Sequence, residues 1–148
     1  MTRVYFAAPL FCAGEKEFNK KIAAVFEEYG YDVFLPQRDG LLVAELTDKT
    51  PDEKVRIIFE KDVEEIKKSD VLVFALDGRI PDEGACVELG LGFALNKRCY
   101  GIRTDVRTLE QDVPLNPLIA GCMIKVFDNP DYDALIEALK QYLDTNKL

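Results

Sequence analysis

Apolar positions along the chain alternate between short continuous runs and stripes with residues spaced three and four apart. Short apolar runs are typical of strands buried in a parallel sheet. The runs predict strands at residues 4–7, 31–35, 71–76, 98–102 and 123–127. The stripes predict helices at residues 15–29, 51–68, 83–95 and 130–143, with a polar loop at 37–40 and a further helical turn at 41–46. The alternation of strand and helix predicts an α/β domain.

The second long helix has a clear start, because Thr50 and Glu53 flank Pro51 at the spacing of a capping box. Its apolar stripe consists of Val55, Ile58, Phe59, Val63 and Ile66. In the third helix we expect Leu89 and Phe93 to face the core.

Five strand–helix units with right-handed crossovers fit a single domain over residues 1–148. The simplest arrangement is a flavodoxin-like, doubly wound, five-stranded parallel sheet in the order 2-1-3-4-5, with helices on both faces. Such sheets bind ligands beyond the carboxyl ends of the strands, where the strand order reverses. This rule selects the loops at residues 7–12 and 77–84 as the candidate site.

Composition and charge narrow the classes of partner. The net charge of −8, without large clusters of Lys and Arg, argues against a nucleic acid polymer. The four cysteines are widely spaced and form no zinc pattern, so we expect neither a metal nor a disulfide. No apolar run reaches the roughly 18 residues of a membrane span, and the start of the chain lacks a signal-peptide pattern. We therefore expect a cytoplasmic protein without a membrane partner.

The chain contains no histidine. An enzyme of this composition must use carboxylates, Tyr, Lys or Cys where others use a histidine base.

Glu88 is the strongest candidate for such a group. The predicted third helix contains Gly84, Gly90 and Gly92, although each glycine costs about 1 kcal/mol relative to alanine in a helix interior. Gly84 lies one turn before Glu88 on the same face, and helical side chains lean toward the amino end. We therefore expect Glu88 to point past Gly84 into the crevice, with its carboxylate near Asp82.

Five segments of the chain resemble those of the nucleoside 2-deoxyribosyltransferase family. They are Val4–Phe11, Leu35–Gly40, Lys61–Asp70, Asp82–Gly90 and Pro114–Leu118. The segments occur in the family's order and span nearly the whole chain.

The resemblance implies a double displacement of the kind used by retaining glycosidases. Glu88 would attack C1′ of the sugar and form a deoxyribosyl ester, and Tyr5 would orient this carboxylate. Asp82 and Asp62 would face the base, and one of them would pass a proton to the departing nitrogen. The proton donor must be neutral, which needs a raised pKa, and the sequence leaves open which aspartate it is.

The resemblance also implies a set of substrate-binding residues. They are Ala7, Phe11, Gln37, Asp39, Gly84, Asn116 and Leu118. Phe11 and Gln37 would line the base side of the site. Asn116 of a neighbouring subunit would bind the sugar 5′-hydroxyl, with Leu118 beside it. The implied protein is a homo-oligomer, either a dimer or a hexamer built from dimers.

The implied activity is the transfer of 2-deoxyribose between deoxynucleosides and free nucleobases, with slow hydrolysis as a side reaction and no cofactor. Nucleoside salvage is the usual setting of the family. Base preference, for purines alone or for purines and pyrimidines, is expected to depend on residues 37–48.

Two other functions remain open from the sequence. One is an N-glycosidase that hydrolyses deoxynucleoside 5′-monophosphates, and the other is a nucleotide-sensing module without catalysis. The first loop, Ala7–Leu10, offers no hydroxyl or basic side chain for a phosphate, which favours transfer. The same loop lacks a dinucleotide-binding glycine motif, a flavin phosphate loop and a receiver domain's acidic pair.

Overall fold

A computed structural model describes residues 1–107 and 113–148. The strands of these residues are β1 (Arg3–Ala7), β2 (Asp32–Phe34), β3 (Val71–Ala75), β4 (Arg98–Arg103) and β5 (Lys125–Asp128). The helices are α1 (Ala13–Glu28), α2 (Pro36–Asp39), α3 (Pro51–Lys68), α4 (Glu83–Ala94), α5 (Pro117–Gly121) and α6 (Tyr132–Thr145), and Val43–Glu45 forms a 3₁₀ turn.

The described strands form one parallel sheet in the order β2-β1-β3-β4-β5. This confirms the predicted flavodoxin-like order. Tyr5 in β1 pairs with Phe34 of β2 on one side and with Leu72 of β3 on the other. The strand order therefore reverses at β1, which places the expected ligand crevice beyond the ends of β1 and β3.

Two hydrophobic clusters fill the two faces of the sheet. On one face, α1 and α6 pack over alternate strand residues such as Val4 and Phe6. On the other face, α3, α4 and α5 pack over a second cluster that includes Tyr5 and Leu72. Because strand side chains alternate between faces, Tyr5 points toward the layer formed by α3 and α4.

The long helix α3 begins and ends where the sequence predicts. The Thr50 hydroxyl accepts a hydrogen bond from the Glu53 amide at 3.3 Å, and the Glu53 carboxylate accepts one from the Thr50 amide at 2.8 Å. The predicted capping box is therefore confirmed. No helix in the described part of the chain is both long and apolar enough to cross a membrane.

Two short helices differ from the prediction. Residues 37–40 were expected to form a loop, but α2 includes three of them and starts at a proline. Helix α5 was not predicted, and it too starts at a proline, after Asn116 as its amino-terminal cap. A single helical turn is too short to show an apolar period, so the capping residues were the available signal.

The prediction that Phe93 faces the core is wrong, because its side chain is 54% exposed. Helix α4 contacts the sheet through Ala85, Leu89 and Gly92, which are buried at helical spacing. Phe93 is the next residue after Gly92 and is rotated by about 100° from that face. Helix α4 has apolar residues on several of its sides, so the spacing of apolar residues alone did not identify the side that is buried.

Candidate active site

Glu88 and Tyr5 form the polar pair at the centre of the candidate site. The Tyr5 hydroxyl donates a hydrogen bond to Glu88 Oε1 at 2.6 Å. Tyr5 is fully buried in β1, and its ring stacks on Phe34 with the centroids 5.4 Å apart and the planes 19° apart. The strand and this stacking hold the phenol in place, so the hydrogen bond fixes the direction of the Glu88 carboxylate.

The start of α4 places Glu88 at this position. Asp82 caps the helix, because its Oδ2 accepts a hydrogen bond from the Ala85 amide at 2.9 Å. Gly84 follows in the first turn, and a Cβ there would lie 3.2 Å from Asp82 Oδ2. A side chain at position 84 would therefore crowd the Asp82 carboxylate, on the helix face that presents Glu88 one turn further along.

Glu88 opens into a cavity of about 260 Å³ between α3 and α4. The lining residues are Phe59, Asp62, Val63, Ile66, Gly84, Val87, Glu88 and Leu91. Two carboxyl groups, from Asp62 on α3 and Glu88 on α4, thus share one mainly apolar cavity.

The pKa of Glu88 is raised to about 8, mainly by burial and in part by the negative charges of Asp62 and Asp82. The hydrogen bond from Tyr5 acts in the opposite direction, because it stabilises the carboxylate. Burial and the Glu88 charge hold the pKa of Tyr5 well above its usual value, so its hydroxyl remains a donor.

Burial also raises the pKa of Asp62, to about 6. The charge of Lys61 lowers it and the charge of Glu65 raises it. Glu65 is buried and holds the Lys61 ammonium at 2.9 Å and the Arg3 guanidinium at 2.7 Å. Lys61 directly precedes Asp62 in the sequence, but its ammonium group is held by Glu65 of the same helix.

The described residues contain no group of three or more Cys, Asp or Glu side chains placed to hold a metal ion. Burial raises the pKa of the Cys86 thiol, and it raises that of Cys99 to about 11. Both are protonated at neutral pH and are poor nucleophiles. The groups gathered around the cavity for proton transfer and nucleophilic attack are the carboxyls and the Tyr5 phenol.

The residues predicted to bind the substrate differ in exposure and in the contacts that they make within the chain. Phe11 is exposed after β1, whereas Ala7 is fully buried at the end of β1. The Gln37 amide accepts a hydrogen bond from Asn19 at 3.0 Å and donates one to the Lys16 carbonyl at 2.8 Å. These contacts attach the short helix α2 to helix α1.

Asp39 also stabilises the local structure of α2. Its carboxylate accepts a hydrogen bond from the Leu35 amide at 2.9 Å and pairs with Arg38, also at 2.9 Å. The Arg38 charge helps to keep the pKa of Asp39 below its usual value, although burial opposes this. The roles of Gln37 and Asp39 toward a base remain predictions.

Asn116 lies in a second cavity, of about 630 Å³, together with Arg79, Ile80 and Cys86. Its side chain caps α5 by accepting a hydrogen bond from the Leu118 amide at 2.9 Å. The Leu118 side chain is 82% exposed. Within one chain, therefore, Asn116 and Glu88 line different cavities.

Phe59 borders the candidate site, although the sequence pattern did not predict this role. Phe59 was included in the apolar stripe of α3, yet it is 61% exposed and lines the cavity of Glu88. Asp62 follows it by three residues on the same stripe. A carboxylate within an apolar stripe was the available signal that this face borders a cavity rather than the core.

The chain has clear similarity to one protein family. The model of the nucleoside 2-deoxyribosyltransferase family matches residues 4–141. A comparison with curated protein sequences gave no match.

Solved structures with the same fold include two 2-deoxyribosyltransferases. That of Bacillus psychrosaccharolyticus is 24% identical, with a TM-score of 0.71, over 90% of this chain and 96% of its own. That of Leishmania mexicana is 18% identical, with a TM-score of 0.66, over 99% of this chain and 100% of its own. The CMP N-glycosidase of Clostridium botulinum is 17% identical, with a TM-score of 0.63, over 95% of this chain and 99% of its own.

Proposed function

The chain belongs to the nucleoside 2-deoxyribosyltransferase family, and we propose that it transfers 2-deoxyribose between nucleobases with Glu88 as the nucleophile. The observation that carries this proposal is the Tyr5–Glu88 hydrogen bond beside the cavity shared with Asp62. Exchange of bases between deoxynucleosides is a salvage reaction, and it needs an ionised nucleophile and a neutral acid in one site.

In the first half-reaction, the free oxygen of the Glu88 carboxylate forms a bond to C1′ while the bond from C1′ to the base nitrogen breaks. Tyr5 holds the other oxygen, Oε1, so only one oxygen is directed at the sugar. A carboxyl proton passes to the departing base, which leaves as the neutral heterocycle. The products are a deoxyribosyl ester of Glu88 and an ionised acid.

In the second half-reaction, the incoming base gives its ring proton to that carboxylate as its nitrogen attacks C1′. The ester bond breaks, and the Glu88 carboxylate is restored. Two inversions at C1′ retain the configuration of the nucleoside. Attack by water on the same ester would give free deoxyribose as the slow side product.

We assign the proton donor to Asp62. Burial raises its pKa to about 6, which makes a protonated Asp62 more accessible near neutral pH than an ordinary aspartic acid would be. Asp82 is the amino-terminal cap of α4, and its carboxylate already accepts a hydrogen bond from the Ala85 amide. Asp82 would then orient the base as a hydrogen-bond acceptor.

The proposal is tested by incubating deoxyadenosine with free cytosine and measuring deoxycytidine and adenine by chromatography. We expect Glu88→Ala to abolish transfer because it removes the nucleophile. The matched control is Glu83→Ala, an exposed glutamate of the same helix, which should keep activity within about twofold since exposed charges contribute little. Transfer at the normal rate by a folded Glu88→Ala variant would disprove the assignment.

A second candidate is the hydrolysis of a deoxynucleoside 5′-monophosphate. It is supported by the exposed Arg79 side chain, which shares a cavity with Asn116 and could face a phosphate there. The fold is also similar to that of the Clostridium botulinum CMP N-glycosidase. Incubation of dCMP and deoxycytidine without an acceptor base separates the candidates. Rapid release of cytosine from dCMP alone would favour the hydrolase.

A further inference from the structure

Three exposed apolar side chains lie together at the amino-terminal half of α3. Val43 of the 3₁₀ turn and Val55 and Phe59 of α3 are all more than half exposed. They border a cavity of about 580 Å³, whose lining residues are Val43, Pro51, Lys54, Val55, Ile58 and Phe59. Lys54 is the charged residue of this lining, and the other walls are apolar.

This apolar cavity is next to the cavity of Glu88. Phe59 lines both of them, and Asp62 follows Phe59 by one turn of α3. The amino end of α3 points toward the carboxyl edge of the sheet, because α3 leads into the parallel strand β3. The apolar cavity therefore lies on the outer side of Phe59, nearer the mouth of the crevice.

The size of the Glu88 cavity indicates that a nucleoside extends beyond it. Sites for small ligands usually measure roughly 300–1,000 Å³, whereas this cavity measures about 260 Å³. If the sugar occupies the space beside Glu88, the base must extend past Asp62. Along α3, the next space in that direction is on the far side of Phe59.

We propose that the apolar cavity lined by Val43, Val55 and Phe59 receives the outer part of the nucleobase, including apolar substituents on its exocyclic nitrogen. Phe59 is then a specificity-determining residue, because its ring narrows the passage between the two cavities. The inference rests on the proposed function, and it adds a class of acceptor: purines that carry an apolar group at the 6-amino position.

The chemistry of the cavity suits this ligand. A planar heterocycle gains contact area against an aromatic ring and apolar walls. An alkyl or benzyl group on the amine would further strengthen binding, because its apolar surface would be buried against Val43, Val55 and Ile58. A charged substituent would lose hydration there, with only Lys54 nearby to compensate.

Two substitutions should shift acceptor preference in opposite directions. Phe59→Ala widens the passage, and Val55→Phe fills the cavity beyond it. Both side chains are largely exposed, so neither change creates a void in the core. The matched control is Phe93→Ala, which removes an exposed phenylalanine from α4 outside the described lining of both cavities.

The experiment offers adenine and N6-benzyladenine together as acceptors, with deoxyinosine as donor, and measures the ratio of the two product nucleosides. A ratio within one tube does not depend on the amount of active protein. We expect the benzyl product to rise about tenfold relative to deoxyadenosine in Phe59→Ala and to fall about tenfold in Val55→Phe, the scale on which pockets discriminate apolar groups. Phe93→Ala should keep the wild-type ratio.

Calorimetric titration of each free base into the same proteins gives the ratio of Kd values without any turnover. Opposite shifts of the Kd ratio in the two variants support the inference, whether or not transfer is observed. If no acceptor gives any transfer, that result overturns the proposed function but not the inference about the cavity. Ratios that stay constant in both variants, by both measurements, overturn the inference. A changed sedimentation coefficient of Val55→Phe with unchanged ratios also overturns it and assigns the cavity to a subunit contact.

Discussion

Glu88 and Asp62 share one cavity, and burial raises the pKa of both carboxyl groups. In the proposed reaction, Glu88 has to lose its proton to attack, while Asp62 has to keep one. With values of about 8 for Glu88 and about 6 for Asp62, the pair retains a single proton near neutral pH. This proton resides mostly on Glu88, so the reactive form, with the proton on Asp62, is a minor one.

We therefore expect a bell-shaped pH profile of kcat/KM, with limbs near pH 6 and pH 8. Below pH 6 both carboxyls are protonated, and the nucleophile is lost. Above pH 8 both are ionised, and the acid is lost. Initial rates of deoxyadenosine–cytosine exchange from pH 4.5 to 9.5 test this. A profile that stays flat from pH 5 to 9 would contradict a shared proton.

Tyr5→Phe removes one hydrogen bond from the Glu88 carboxylate and leaves the aromatic ring in place. A hydrogen bond to a charged group contributes about 1.5–3 kcal/mol, so kcat/KM should fall by roughly 10- to 100-fold. Because the bond from Tyr5 lowers the pKa of Glu88, this pKa should rise in the variant. The pH limb near 8 should then move upward, whereas a purely structural defect would lower the rate at every pH. Thermal unfolding checks that the fold is retained.

Helix α4 contains glycines in different surroundings. A Cβ at Gly90 would meet open space among the described residues, whereas a Cβ at Gly92 would lie 2.9 Å from Leu72 Cδ1. Leu72 is fully buried in β3 and has little room to move. The glycine at position 92 therefore permits α4 to approach the sheet closely, whereas Gly90 has no such contact with the described residues.

We expect Gly90→Ala to increase the free energy of unfolding by about 0.5–1 kcal/mol, since alanine is the better helix former. Gly92→Ala gains the same propensity but is overpacked against Leu72, so it should be about 1–3 kcal/mol less stable than Gly90→Ala. Denaturant titration of both variants measures the difference, and transfer activity should be unchanged in Gly90→Ala. Equal stabilities would show that α4 can move away from the sheet.

The sequence predicted most elements to within a few residues, because long helices and buried strands have strong apolar periods. Helix α3 matches throughout, from Pro51 to Lys68. The short helix α5 has no period of its own, and its start depends on the cap formed by Asn116. The direction of Phe93 could not be predicted either, because α4 is apolar on several sides and only tertiary packing selects the buried one.

For the candidate site, the spacing of Gly84 and Glu88 was enough to predict that this glutamate faces the crevice. The partner of its carboxylate was implied by family resemblance, and the structure places the Tyr5 hydroxyl at 2.6 Å. The hydrogen bond from Asn19 to Gln37 depends on how α1 packs beside α2. Contacts of this kind join distant parts of the chain, so a local pattern does not encode them.

At the scale of the whole molecule, the described residues place two of the expected parts of the site in different cavities. Asn116 and Leu118 are exposed at the amino end of α5, and Asn116 lines the larger cavity rather than that of Glu88. Exposed apolar residues such as Val87 also border the Glu88 cavity. We propose a homo-oligomer in which Asn116 of the partner subunit binds the sugar 5′-hydroxyl.

Subunit mixing tests whether Asn116 acts across the interface. Glu88→Ala and Asn116→Ala should each be nearly inactive alone, because each lacks one component of every site. In a mixed dimer, Glu88 of one subunit and Asn116 of the other rebuild one intact site. Random exchange of equal amounts makes half of the dimers mixed, so activity should recover to about a quarter of the wild-type value. Action within one chain predicts no recovery, since both sites of the mixed dimer would then lack a component.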